Sequence, residues 1–356
     1  MIKFILSILL ISSSYTSAWA SACRDMHDGQ VLRLDHGKGV LNKIPIPTQG
    51  KAAYCWAAVS TQFYDAYRVK EAGTSELEFS SALASSLIVL SKENRRSLST
   101  VYSFRQAFHE LANSGTCSLK SFFDDSKSGQ QNSMSSLLQG IEQIYSLEGN
   151  YSLKYARFRQ LVKEISNQQV YKNLFEDSLA KEQLKVMFYP GKTPIELQDK
   201  LVELLCPKSE RLFLAGQAPR IVNLAYHQSP MNYQQLLKNR LQQDFFDVPN
   251  SELMPKVIGV CGKALINPKL RPLLNSSGTL SYSIDSNECS NHYLVVAGLR
   301  KRGDKCEWLA RNSAPAACSE YVEGKIECEK GTDPRTLWIE ENYLTSYISE
   351  MFTAEN

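Results

Sequence analysis

The hydrophobic period of this chain changes along its length, and that change limits the folds open to it. Up to about Leu241 apolar residues recur at helical intervals. Trp56, Val59, Phe63 and Tyr67 form one stripe, with Thr61, Gln62, Arg68 and Lys70 as polar residues for the other side. Phe104, Ala107, Phe108, Leu111 and Ala112 form a second, closed by Gly115, and Leu137, Leu138, Ile141 and Tyr145 a third. Phe158, Leu161, Val162 and Ile165 repeat the spacing, and Thr193-Pro194-Ile195-Glu196 reads as a capping box opening another helix. From Lys256 onward the runs are strand-like: Lys256 to Cys261, Leu280 to Ile284, His292 to Ala297, Glu307 to Arg311 and Thr336 to Ile339. A helical part followed by an antiparallel sheet or partial barrel predicts an α+β fold, with a cleft where the parts meet.

The first twenty residues read as a targeting segment that predicts export to a secreted or periplasmic location. Lys3 is basic, Phe4 to Ile11 is apolar but far short of a membrane span, and Ala18-Trp19-Ala20 is a cleavage pattern. Ala20-Ser21-Ala22 before Cys23 is also a loose lipobox, so a lipid anchor at Cys23 is the minor alternative. Residues 21–44 show no sustained period and read as an N-terminal arm. The formal charge of +3 is too small to point to nucleic acid or an anionic membrane. Nine cysteines without a C-x-x-C pattern predict disulfides, and their odd number leaves one thiol over. Proximity along the chain favours Cys261 with Cys289 and Cys306 with Cys318. No cofactor or metal motif is present.

Cys55 follows an approach rich in proline and glycine and begins the first helical stripe, so it lies at a helix N-terminus. The macrodipole and unpaired N–H groups there favour a thiolate. Asn291-His292 starts an apolar strand, and Asn312-Ser313 ends the next, with Arg302-Gly303-Asp304 as the turn between them. Antiparallel pairing places Asn312 beside His292, where its amide oxygen accepts one imidazole N–H and leaves the other nitrogen for a thiol. His27, His36, His109 and His227 have no such partner pattern; His27 and His36 read as exposed and His109 as packed.

Gln49 six residues before Cys55, Cys55-Trp56 opening a helix, His292 before Leu294-Val295-Val296-Ala297-Gly298, Asn312-Ser313, and the final strand at Trp338-Ile339 together resemble the papain-like cysteine peptidases. The resemblance covers about residues 45–125 and 232–345. It implies a helical left half, a β right half and an intervening cleft, with Cys55 as nucleophile, His292 as base and acid, Asn312 as orienter, and Gln49 with the Cys55 N–H as oxyanion hole. The family places its histidine about 130–150 residues after the cysteine. Here the separation is 237 residues, and the surplus matches the helical stretch 126–230. The expected organisation is therefore 1–20 signal peptide, 21–44 arm, 45–125 helical half, 126–230 helical insertion and candidate partner surface, and 231–356 β-rich half. Two departures stand out: Ala52 replaces the motif's first cysteine, and Ala314-Pro315 replaces the Trp-Gly whose indole shields the Asn–His bond. The implied substrate is a peptide or protein. Acyl transfer to an amine, cleavage of another amide, and a binding protein without turnover are the alternatives.

Overall fold

A computed structural model describes residues 23, 26–49, 54–72, 78–92, 102–122, 133–166, 168–223, 253–266, 291–314, 316–331 and 333–355. The expected signal segment 1–20, the expected helix around Leu241, the expected strand at Leu280 and His227 lie outside these residues.

Helix α1 (Cys55–Ala72) is the centre of the helical part and packs against α2 (Ala82–Lys92), α3 (Phe104–Ser114) and strand β4 (Asn291–Arg302). Enclosed in this way, it is buried nearly all round. Thr61, Gln62 and Arg68, read from sequence as its polar outer side, are inside. Each makes side-chain hydrogen bonds inside the helix or to its neighbours, although the Gln62 amide oxygen has no partner among the described residues. Thr61 Oγ1 donates to the Ala57 carbonyl (3.0 Å), Gln62 Nε2 to Ala58 (3.1 Å), and Arg68 to Asp65 (3.1 Å) and the Glu78 carbonyl (2.8 Å). Phe63 stands edge-on to Phe104 and Phe108, each at 5.4 Å, which locks α1 to α3. Gly115 ends α3 with φ 70°, as its position predicts. His109 is exposed rather than packed.

Five helices follow: α4 (Ser133–Ser146), α5 (Tyr151–Ile165), α6 (Gln168–Phe175), α7 (Ser178–Val186) and α8 (Pro194–Leu205). Phe158, Phe175 and Phe188 make their aromatic core. The expected capping box at Thr193 and Glu196 opens α8, which packs on α2. The Cys117–Cys206 disulfide and a bond from Arg211 to the Ser114 carbonyl (3.0 Å) join this layer to the end of α3.

The sheet runs β2 (Arg220–Asn223), β8 (Ile348–Glu355), β3 (Lys256–Cys261), β4, β5 (Lys305–Arg311), β7 (Thr336–Glu340), β6 (Ile326–Cys328), every pair antiparallel, and β1 (Val31–Arg33) pairs with the distal part of β4. Short helices α9 (Gly262–Leu265) and α10 (Glu341–Thr345) flank it. Helices plus an antiparallel sheet make the mixed architecture expected from the change of period.

One expectation, a disulfide pairing, needs correction, and two strands lie in spans where the sequence shows no strand period. Strand β2 falls inside the span read as helical, 126–230, yet pairs with β8. The arm 21–44 carries β1, which adds to the sheet. The pairing of Cys306 with Cys318 is wrong: Cys306 bonds Cys23, and Cys318 bonds Cys328. Nearness in sequence misled there, since the arm folds back on β4 and brings Cys23 to the neighbouring strand. The sulfur of Cys23 is thereby taken up, which leaves no thiol for a lipid thioether. Cys261 is disulfide-bonded, while Cys289 lies outside the described residues. No helix among the described residues is long and apolar enough to cross a membrane, and the three disulfides between described residues fit an oxidising compartment.

Candidate active site

The start of β4 and the end of β5 form one wall of the site. Val295 pairs with Arg311 and Val296 with Ala310, but beyond Ala297 the register shifts so that Gly298 pairs with Leu309. Continued past Arg311, the first register sets Asn312 opposite Leu294, on the face that His292 also shares. Without the bulge Asn312 would stand opposite Val295 and point to the other side of the sheet. The arm supports the bulge, because the Leu34 N–H donates to the Ala297 carbonyl at 2.7 Å. Gly298 is required beside it: a Cβ there would lie 2.5 Å from the Leu32 carbonyl oxygen.

His292 Nε2 and Asn312 Oδ1 are 2.7 Å apart. The same oxygen accepts the Ala314 N–H at 3.0 Å, and Asn312 Nδ2 donates to the Tyr321 hydroxyl at 3.0 Å. This network assigns the amide orientation, so the proton of the hydrogen-bonded His292 nitrogen is on Nε2. Nδ1 is then the basic nitrogen of the neutral ring.

Gln49 is delivered to the same place from the other direction. Its N–H donates to the Ser313 carbonyl (3.1 Å), and Ser313 Oγ donates to Gln49 Oε1 (2.6 Å). Arg311 bonds the Ile44 carbonyl, and Arg335 bonds Thr48 Oγ1, so two buried guanidiniums fix the strap ahead of Gln49. With its oxygen engaged by Ser313, the Gln49 amide presents its NH2 end elsewhere.

Cys55 is a reduced thiol at the first position of α1, where the Tyr54 carbonyl begins the helical bonding to Ala57 and Ala58. It is 5% exposed and His292 6% exposed. Burial is the largest influence on the thiol and pushes it up to about 11, against the backbone N–H groups of Tyr293, Trp56 and Cys55 itself. The contact with the Tyr293 N–H places the sulfur against the residue following His292. Burial likewise lowers His292, and the bond to Asn312 opposes that shift. The helix start does supply the donors the sequence promised, but desolvation outweighs them at the thiol, as it outweighs the Asn312 bond at the imidazole.

The structure thus brings Gln49, Cys55, His292 and Asn312 into one buried locus through Ser313 and Tyr293. Sequence reasoning gave Ser313 no role and missed Tyr321, which belongs to no recognisable spacing. Among solved structures, the chain is similar to a digestive procathepsin L 3 of Tenebrio molitor larval midgut, at 10% identity over 90% of this chain and 72% of that one, with a TM-score of 0.38. No family model and no curated protein sequence matches it.

Proposed function

We propose that this chain is an exported papain-like cysteine peptidase with a helical insertion at 126–230. The observation that carries the reading is the reduced Cys55 thiol at a helix start, held by the Tyr293 N–H beside a histidine whose other ring nitrogen is committed to Asn312 at 2.7 Å. The thiol proton passes to His292 Nδ1 as the sulfur attacks the scissile carbonyl carbon. The carbonyl π electrons move to oxygen, where the Cys55 N–H and the Gln49 amide N–H meet the developing charge. Collapse expels the amine, which takes the proton from His292, and leaves a thioester. Water then adds to the thioester, giving its proton to His292, and the acid departs as the thiol re-forms.

The test is labelling of the native protein with a peptidyl epoxide, followed by mapping of the adduct and assay of Cys55→Ala and His292→Ala against a peptide library. An adduct on Cys55 and loss of hydrolysis in both variants are expected. Hydrolysis that survives Cys55→Ala sinks the proposal. Products carrying an added amine in place of free acid assign acyl transfer instead, and no adduct with no turnover assigns the binding reading.

A further inference from the structure

Ala314 offers no side chain to cover the Asn312–His292 bond, yet Asn312 is only 2% exposed. A buried partner for the other end of its amide stands nine positions on. Tyr321 is 3% exposed and its hydroxyl accepts from Asn312 Nδ2 at 3.0 Å. The Ala314 N–H determines which end of the amide is oxygen, and Tyr321 holds the opposite end, so the amide plane cannot rotate away from the imidazole. The phenol itself stands on fixed backbone. It follows the turn Cys318–Glu320, whose first residue is tied to β6 by the Cys318–Cys328 disulfide, and it bridges to Ile266 while Val322 donates to the Leu265 carbonyl at 3.2 Å. A hydroxyl held this way gives the amide a fixed direction.

We propose that Tyr321 is a positioning residue of the site: its hydroxyl fixes the Asn312 amide in the orientation that holds His292, and its ring excludes water from that bond. The proposal rests on the peptidase reading for its consequence in turnover, but not for its geometry. Tyr321 touches no reacting atom, so its loss acts on kcat through His292 and leaves KM unchanged.

The experiment compares native protein, Tyr321→Phe and Asn312→Ala by NMR titration of His292, assigned with His292→Gln, together with peptide hydrolysis. Tyr321→Phe keeps the ring and deletes one hydrogen bond, so the His292 midpoint should move down, part of the way to its position in Asn312→Ala, and kcat should fall about fivefold with KM unchanged. In the Asn312→Ala background the same substitution should add no further loss. The midpoint decides: unmoved in Tyr321→Phe, it overturns the proposal, and any loss of turnover is then merely structural. Should Tyr321→Phe fail to fold, hydrogen exchange at the Asn312 side-chain amide of the native protein decides instead. Protection supports the bond, and exchange at the rate of an exposed amide overturns it. If the native protein hydrolyses nothing while the midpoint still moves, the peptidase reading falls and the positioning of His292 stands. Cys55-dependent hydrolysis with an unmoved midpoint does the opposite: the peptidase reading stands and the positioning role of Tyr321 falls.

Discussion

His292 and Asn312 share one face of the sheet because the β4–β5 register shifts by one residue between Val296 and Gly298. A regular hairpin would put the two side chains on opposite faces, so the dyad depends on a local irregularity rather than on the strands as such. The irregularity depends in turn on the arm. Leu34 satisfies the carbonyl of the extra residue Ala297, and the Cys23–Cys306 disulfide anchors the arm to β5.

Gly298→Val should therefore affect both stability and the dyad. Its Cβ would sit 2.5 Å from the Leu32 carbonyl oxygen, a backbone atom with no side-chain freedom to yield. Displacing β1 should cost roughly 1–3 kcal/mol in urea unfolding, as for other overpacked sites. The His292 titration should move as well, because the support of the bulge moves. Unchanged unfolding midpoints would show that the arm is not held at Gly298.

The pH dependence of stability follows from two oppositely shifted groups. The Cys55 thiol is raised from 9.0 to about 11, so the unfolded chain releases its proton first. Its contribution is complete below pH 9.0 and is lost as pH rises towards the folded value. At about pH 10.5 the native protein should have lost about 2 kcal/mol more than Cys55→Ser, relative to pH 8. His292 is lowered from 6.5 by burial, so its contribution is present above that value and is lost as pH falls below it. Urea midpoints of native protein, Cys55→Ser and His292→Gln across the range check both arms. Parallel curves for the native protein and Cys55→Ser would mean that the thiol is not buried as described.

The disulfides should rank by the chain they close. Cys117–Cys206 spans 89 residues and Cys318–Cys328 spans 10. In the chain-entropy account their removal costs about 4–5 and about 2–3 kcal/mol respectively. Replacing Cys117 and Cys206 by serine should also speed proteolysis between α4 and α8, because the ties left to the end of α3 and to α2 are all noncovalent: the Arg211 bond to Ser114, the Thr116–Leu212 bridge and the packing of α8 on α2. Equal unfolding midpoints for the two double variants would contradict the ranking.

Much of this was legible in the sequence for one physical reason: long periodic elements announce themselves. Trp56 to Tyr67, Phe104 to Ala112 and the capping box at Thr193 each became a helix, and Gly303 turns the hairpin with φ 60° where Arg302-Gly303-Asp304 predicted it. What was hidden is what periodicity cannot carry. A bulge at Ala297 leaves the apolar run of β4 unbroken. Val31–Arg33 is too short to show a strand period, and disulfide pairing follows the path of the arm. Tyr321 reaches Asn312 only because a turn and a disulfide place it there. The burial that raises Cys55 is a tertiary property, whereas the helix start that favours a thiolate is local.

The pairing of Ser313 with Gln49 leads to the most discriminating kinetic prediction. Ser313 is fully buried, and its hydroxyl donates to Gln49 Oε1 at 2.6 Å, which fixes the direction of the Gln49 NH2 group. Gln49→Ala removes the proposed side-chain donor to the oxyanion and should lower kcat by about 10²–10³ with KM little changed, the pattern of an interaction made only in the transition state. Ser313→Ala keeps the donor but releases its orientation, so it should lower kcat by about fivefold to tenfold, the worth of one hydrogen bond. In the Gln49→Ala background Ser313→Ala should have no further effect, since Ser313 acts on turnover only through that amide. Additive losses would show that Ser313 supports the site by packing, and a Gln49→Ala variant with native kcat would remove Gln49 from the proposed oxyanion hole.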